Sequence, residues 1–481
     1  MKKLILIAFV SLMGILPKAR AQSAMDAFRY SFSTSTGTAR SSAIGGAFGA
    51  VGADPGATTI NPGSAGLYRK TEFSLSPAFH FSEEDALYEN TRANDSRLAV
   101  NVNNWGLSLH KKTGKDDNLP EWKGITAGFT FNRLANFNRR AFVSGEVTGN
   151  SLMREFVRRA NGSNPSSLSE FSERLAFDSY LIDTFSVLGT NQYIPNLLKT
   201  SAVSQRTTIQ SFGSLNENNF FLSGNFANKL FVGASLGLFR VRFNETSVHS
   251  EKVNDTLPIQ AFTFEQRVAS TGAGFFAKAG LVYMPVEYVR IGAAYQTGSR
   301  IAMSDIYNTS LTTQFTTGSY SFSSPEGAYN YIIRIPSKST FSLCILHPRV
   351  GLLSADVELS DFSGMRIFPN ADFSQINSQI SGQYGMQQTY RTGMELRLGK
   401  FFNLRGGYAF NRSPVLSDVN NFSYTRITGG VGYRQKNVFC DVALVQTRLK
   451  FLYYTYDPSL VNAAGMTQNT TLLVFTGGIR F

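Results

Sequence analysis

The 481-residue chain holds only 2 cysteines, 4 histidines and 2 tryptophans, and only 16% of its residues are charged. Each shortage excludes something. Two cysteines build no disulfide framework. Cys344 and Cys440 fall in alternating segments that turn the first inward and the second outward, so the two are not expected to pair. The histidines, His80, His110, His249 and His347, show no metal or haem spacing, and by sequence spacing His80 and His249 offer no serine or acidic pair of the kind a lipase or protease barrel needs. No lysine follows the glycine spacings Gly45-x-x-x-Gly49 and Gly52-x-x-x-Gly56, which removes a phosphate cradle. No catalytic residue, metal or cofactor is expected. After the first residues no apolar run is long enough to cross a bilayer as a helix.

The one compact apolar run is at the start. Lys2 and Lys3 precede Leu4 to Leu16, and Ala19-Arg20-Ala21 follows. That pattern predicts a secretory leader over 1–21 and a mature start at Gln22. The formal net charge is +13, part of it in this leader. A secreted chain has no call to bind nucleic acid. Its arginines and lysines are expected to meet lipopolysaccharide phosphates or an anionic ligand head group.

What is abundant is aromatic residues, 40 Phe and 20 Tyr, at a mean hydropathy of −0.11. Strict alternation accompanies them. Phe402, Leu404, Tyr408 and Phe410 share one face of a strand, and Asn403, Arg405 and Ala409 share the other. Val289–Gln296 and Leu353–Ser360 read the same way. Period-two patterning means sheets with one apolar and one polar face. Fourteen such segments are predicted, near 72–81, 99–111, 122–136, 210–227, 229–246, 260–284, 288–303, 328–346, 350–361, 384–398, 401–412, 422–434, 438–455 and 469–481. Their connections alternate short and long, the long ones near 82–98, 137–209, 247–259, 304–327, 362–383, 413–421 and 456–468. A barrel with tight periplasmic turns and long outer loops requires that alternation. The last strand ends on Phe481, a carboxy-terminal aromatic of the kind that barrel-assembly machinery recognises. The expected fold is all-β: a 14-stranded antiparallel transmembrane β-barrel over 71–481, preceded by a small hatch, 22–70, inside its lumen.

The hatch is read from Gly37 to Tyr68, a stretch that is small-sided, glycine-rich and nearly uncharged. Glycine and proline interrupt ladders, and such a segment has too little bulk for a core of its own. Gly45, Gly46, Phe48, Asn61, Pro62 and Gly63 are its candidate gate residues. A local helix is predicted over Ala39–Val51. The longest loop, 137–209, carries helical stripes: Leu152, Phe156 and Ala160; Leu168, Phe171 and Leu175; Leu181, Phe185 and Leu188; then Leu197 and Leu198. Asn164-Pro165 reads as a helix start. These stripes either pack on each other and on the barrel rim, or frame a greasy groove for an apolar ligand, in which case Phe156, Leu181, Phe185, Leu197 and Leu198 touch it.

Ser42-Ala43-Ile44-Gly45-Gly46-Ala47-Phe48-Gly49-Ala50 and Asn61-Pro62-Gly63-Ser64-Ala65-Gly66-Leu67 resemble the amino-terminal hatch of the FadL-type outer-membrane transporters of long-chain fatty acids and other hydrophobic compounds. Tyr283 to Tyr295, Pro336 to Leu343 with Ser354 to Glu358, and Leu404 to Ala409 also resemble that family, in the style of its Bacteroidota members. The resemblance implies a hatched barrel of fourteen strands in the Gram-negative outer membrane. It also implies that outer loops capture cargo, which leaves sideways where the third strand, near Trp122–Asn136, is kinked. A break around Asn132–Asn136 is expected. The family's usual Asn-Pro-Ala is Asn61-Pro62-Gly63 here, and the turn is expected to survive.

Arg240, Arg242, Arg290, Arg334 and Arg405 are read as inward-facing, with Asp356, Glu358, Glu395 and Asp441. Such charges either pin the hatch through ion pairs, or one or two of the arginines (Arg290, Arg334 and Arg405 are the candidates) receive a carboxylate head group, which the guanidinium fork suits. The expected function is diffusion of hydrophobic molecules through a plugged, monomeric barrel. The alternative is a docking barrel of type IX secretion kind, without small-molecule transport. A receptor with 22 strands and a large folded plug does not fit the strand count.

Overall fold

The computed structural model describes residues 24–32, 37–114, 120–184, 191–255, 257–416 and 421–481. The expected leader, 1–21, lies outside the described residues.

Where the chain alternates, it forms strands. These are β1 (Glu72–Tyr88), β2 (Thr91–Lys112), β3 (Trp122–Asn136, resuming as Arg139–Thr148), β4 (Ala202–Phe226), β5 (Leu230–Asn254), β6 (Ile259–Val286) and β7 (Val289–Gln296, resuming as Ser299–Phe315). Then come β8 (Gly327–Ile335, resuming as Lys338–His347), β9 (Gly351–Asp361), β10 (Met386–Leu398), β11 (Phe402–Asn411), β12 (Tyr424–Gln435), β13 (Val438–Tyr453) and β14 (Ala464–Arg480). Neighbours in sequence pair antiparallel, and β14 pairs with β1 from Arg480↔Glu72 to Gly465↔Leu87, which closes a 14-strand barrel. Closure satisfies the backbone without an edge, the condition for crossing hydrocarbon with strands.

The outer surface is the apolar face. Phe73, Leu75, Phe79 and Phe81 of β1 are exposed, while Ser74, Ser76, Ala78 and His80 between them are buried. Leu236, Phe275, Phe341, Leu353, Ile427 and Leu444 continue the exposed belt around the barrel. No helix among the described residues is long and apolar enough to cross a membrane; the strands do so.

The strands run further than the alternation predicts. The stretch 82–98, expected as a long loop, is strand on both sides of a turn at Glu89-Asn90, with φ of 45° and 61°. β5 and β6 likewise rise through most of 247–259, and β7 continues to Phe315. The longest loop shrinks from 137–209 to 149–201, because β3 resumes at Arg139 and β4 starts at Ala202. Residues such as Glu83, Asp85 and Arg92 carry the strands beyond the apolar belt, where the outward face is polar too and the period-two signal fades.

Two interruptions invert which residues face in. β7 breaks at Thr297-Gly298 and β8 at Pro336-Ser337, directly beside one another, and the pairing resumes in register as Ser299↔Ile335. Below the breaks Tyr295 and Phe341 are exposed; above them Ile301, Ile333 and Ile335 are buried, while Arg300 and Arg334 are exposed.

Candidate functional site

The amino-terminal segment fills the lower lumen. Helix α1 (Ala24–Ser31) lies highest, followed by α2 (Ala39–Ala43), α3 (Pro55–Thr58) and a 3-10 turn, Pro62–Leu67. The helix predicted over Ala39–Val51 stops at Ala43. Gly45 and Gly46 take φ of 69° and 77°, a left-handed backbone that ends a helix. Small residues let this plug touch the wall itself. A Cβ on Gly407 would lie 2.2 Å from the Gly45 nitrogen, and one on Gly393 would lie 2.2 Å from the Ile44 oxygen.

Polar contacts tie the plug to strands on every side of the barrel. The Ala39 amide donates to Thr476 of β14 (2.7 Å), and Gly45 donates to Thr428 of β12 (2.9 Å). Asp356 of β9 accepts from the Phe48 and Gly49 amides at 2.9 and 3.0 Å. Lys278 of β6 bridges the Thr59 carbonyl and Glu217 of β4, both at 2.7 Å. Asn61 caps the 3-10 turn through the Gly63 amide (3.0 Å), and its own amide donates to the carbonyls of Gly49 and Leu281, both at 2.9 Å. Buried charges are neutralised in an array of Arg40, Glu395, Arg405 and Asp441.

Two of the three candidate head-group arginines therefore have structural partners. Arg290 donates to the Val51 carbonyl of the plug (2.6 Å), and Arg405 to Glu395 (2.7 Å) and Asp441 (2.5 Å). Arg334 is a correction: it faces outward, because the break at Pro336-Ser337 changes the parity of β8. Arg240 and Arg242 also face outward. On β5 it is Phe239, Val241 and Phe243 that turn inward, because the upper lumen is apolar.

That upper lumen is the feature the alternation missed. Phe28 and Tyr30 of α1 pack with Phe239, Val241, Phe243, Ile301, Tyr331, Ile333 and Phe362. A cavity of about 330 Å³ lies beside α1, lined by Met25, Phe28, Phe32, Phe137, Phe243 and Phe422 among others, with Arg29, Arg139 and Glu245 as its charged groups. Arg29 pairs with Asp26 (2.7 Å) and sits 4.2 Å from the centroid of the Phe243 ring. The only sequence signal for this was Phe28 and Phe32, four apart and ahead of the glycine-rich stretch.

The cavity reaches the wall at β3. That strand has a register shift between Arg133 and Ala135 and breaks at Phe137-Asn138, at and just beyond the expected 132–136. β2 and β3 share a ladder only from Lys112↔Gly124 to Asn104↔Asn132. Above it β2 pairs with β1 alone and β3 with β4 alone. Side chains, not backbone, span this slit: Arg133 donates to the Val102 carbonyl (3.3 Å), and Arg140 pairs with Asp95 (3.1 Å). A second cavity, about 120 Å³, is lined by Asn101, Asn103, Arg133 and His80, and shares Phe32, Ala135 and Asn136 with the first.

Over the top sits a cap. Its helices are α4 (Leu152–Ala160) and α5 (Glu173–Asp178), and Asn164-Pro165 starts only a single 3-10 turn, Pro165–Ser167. Phe156, Leu181 and Leu197 are buried in an apolar cluster that the cap shares with the upper strands, Phe156 against Phe264 with ring centroids 5.4 Å apart. Leu198 is exposed, and Phe185 lies outside the described residues. The stripes thus pack on each other and on the rim.

No family model matches the chain, and no curated protein matches it in sequence. Solved structures do match in fold. A Pseudomonas aeruginosa FadL homologue superposes with a TM-score of 0.55 at 12% identity, over 94% of this chain and 100% of its own. The P. putida toluene transporter TodX gives 0.56 at 14%, over 93% and 99%. The Ralstonia pickettii toluene transporter TbuX gives 0.53 at 15%, over 93% and 99%. Plug, third-strand break and 14-strand closure together give this chain the fold of the FadL-type outer-membrane transporters.

Proposed function

We propose that this protein carries small hydrophobic molecules across the outer membrane, by diffusion into the cavity beside α1 and out sideways through the slit between β2 and β3. The observation that supports this best is the continuity of lining: Phe32, Ala135 and Asn136 belong to both the larger cavity and the one at the slit. An apolar cavity of roughly 150 Å³ is enough to bind benzene, so about 330 Å³ accommodates a monoaromatic hydrocarbon or part of an acyl chain. The plug below closes the polar route, which hydrophobic cargo does not need. Long-chain fatty acids fall within this class. For a carboxylate the group best placed is Arg29, which lines the cavity while paired through Nη1 with Asp26, and not Arg290 or Arg405, which the plug and its ion pairs hold away from this cavity.

The test is equilibrium binding of toluene and of palmitate to the purified full chain, repeated with Ala135→Trp and Arg29→Gln. Saturable binding that Ala135→Trp weakens is expected, with Arg29→Gln weakening palmitate alone. Absence of saturable binding of both ligands by the intact protein overturns the reading.

A further inference from the structure

The outer face carries arginines that the transport route does not use. Arg300 of β7 is directly opposite Arg334 of β8, and Arg334 is directly opposite Arg366 of the short strand Arg366–Phe368. Arg240 and Arg242 stand nearby on β5, separated from β7 only by β6, whose facing residues are Ala273 and Thr271. Among the described residues, Arg240, Arg242, Arg300 and Arg334 have no carboxylate partner, and all four are exposed. Arg366 donates to the carbonyls of Ser363 and Met365. Like charges directly opposite on neighbouring strands repel. Two such pairs in one row lower stability unless an anion sits on them.

Their height on the barrel says which anion. On β5 the outward residues Leu230, Val232, Leu236 and Leu238 give way to Arg240 and Arg242 toward the long loops. Phe275, 78% exposed, is directly opposite both Leu238 and Arg300. The cluster therefore stands where the hydrocarbon belt ends on the outer side. A depression of about 1150 Å³ beside it is lined by Arg240, Arg242, Asn216, Ser304, Asn330 and Phe368.

We propose that this patch binds a phosphorylated glycolipid of the outer leaflet, of the lipid A class. Its phosphates lie on Arg240, Arg242, Arg300 and Arg334, and its acyl chains on Leu236, Phe275 and Tyr295. Guanidinium forks bind phosphate oxygens in pairs, and the adjoining apolar belt selects a lipid over a free phosphate. The inference rests on the outer-membrane placement alone and is independent of the cargo.

The experiment uses the full chain in mild detergent, with lipid retention read by native mass spectrometry and stability by thermal melting. The probes are bisphosphorylated lipid A, its dephosphorylated form and inorganic phosphate. Bisphosphorylated lipid A is expected to stay bound and raise the melting temperature, and the other two are not. Arg300→Gln/Arg334→Gln is expected to weaken retention by about ten-fold or more, while Arg300→Lys/Arg334→Lys, which keeps the charge and loses the fork, falls between it and wild type. Heat-modifiable migration on gels verifies that each variant is a closed barrel. Equal retention by the Gln variant or of the dephosphorylated lipid overturns the proposal, as does an equal melting shift with inorganic phosphate. Toluene and palmitate binding is expected to be unchanged in the Gln variant. Loss of cargo binding by the intact protein, with lipid A still retained, counts against the transport reading and leaves the patch standing.

Discussion

Arg40 of the plug and Glu395 of the barrel wall form a two-point ion pair, Nε to Oε2 at 2.9 Å and Nη2 to Oε1 at 3.2 Å. Glu395 Oε2 also accepts from Arg405, so one carboxylate is shared by a guanidinium of the plug and one of the wall, and Asp441 on Arg405 supplies the second negative charge. Removing a single partner of a buried pair leaves uncompensated charge, at roughly 3–5 kcal/mol. Glu395→Gln is therefore expected to unseat the plug while the strand ladders stay intact. Planar-bilayer recordings should show larger ion conductance than wild type, with heat-modifiable migration kept. Unchanged conductance would mean the plug is held without this pair.

The plug also contains a pH-sensitive group. Asp54 accepts from Thr38 Oγ1 (2.9 Å) and the Gly56 amide (2.8 Å). Burial pushes its carboxyl up to about 6 from 3.8, with the Arg40 charge pulling the other way. A raised value means the folded plug prefers the protonated acid. The stability from this preference is full below pH 3.8 and is lost as pH rises through about 6. Its size is at most about 3 kcal/mol. Melting curves from pH 4 to 8 should show wild type losing stability relative to Asp54→Asn across that window. Parallel curves would sink the assignment.

Gly63 is in contact with the wall backbone. A Cβ there would lie 2.7 Å from the Gly280 oxygen and 2.8 Å from the Leu281 Cα, neither of which can swing away. The turn expected at Asn61-Pro62-Gly63 does form, and it presses closer to β6 than an alanine permits. Gly63→Ala is expected to lower stability by roughly 1–3 kcal/mol. Gly364→Ala, where nothing lies within 4 Å, is the control and should melt like wild type.

The strands and the plug were legible for a common reason: each is repetitive over many residues. Alternation marked all fourteen strands, and the run of small residues from Gly37 marked a segment with no core of its own. What could not be read depends on single residues. One extra residue at Thr297-Gly298, and one at Pro336-Ser337, turned Arg334 from lumen to lipid. Pro336 did signal a break, since proline has no amide to give a ladder, but not the change of face. Arg240 and Arg242 were misplaced by the premise that polar means lumen, which fails where α1 makes the lumen apolar. The slit depends on which strands stay unpaired above Asn104 and Asn132, which is a matter of register and not of composition.

Phe156 separates a structural cap from a ligand-binding one. Its ring is 2% exposed and lies edge-on to Phe264 of β6. Deleting a buried phenylalanine costs roughly 3–5 kcal/mol, here drawn from the apolar cluster by which the cap is seated on the upper strands. Polar ties beside it include Arg158 to Asp457 and the Leu152 amide to Glu251 (2.9 Å). Phe156→Ala is expected to open the cap locally, so that limited proteolysis within 161–191 speeds up while the barrel below keeps its heat-modifiable migration. Toluene affinity should change little, because Phe156 does not line the cavity beside α1. The reverse result, weaker toluene binding with cleavage unchanged, would place Phe156 on the cargo's path and return the cap stripes to the ligand-binding reading.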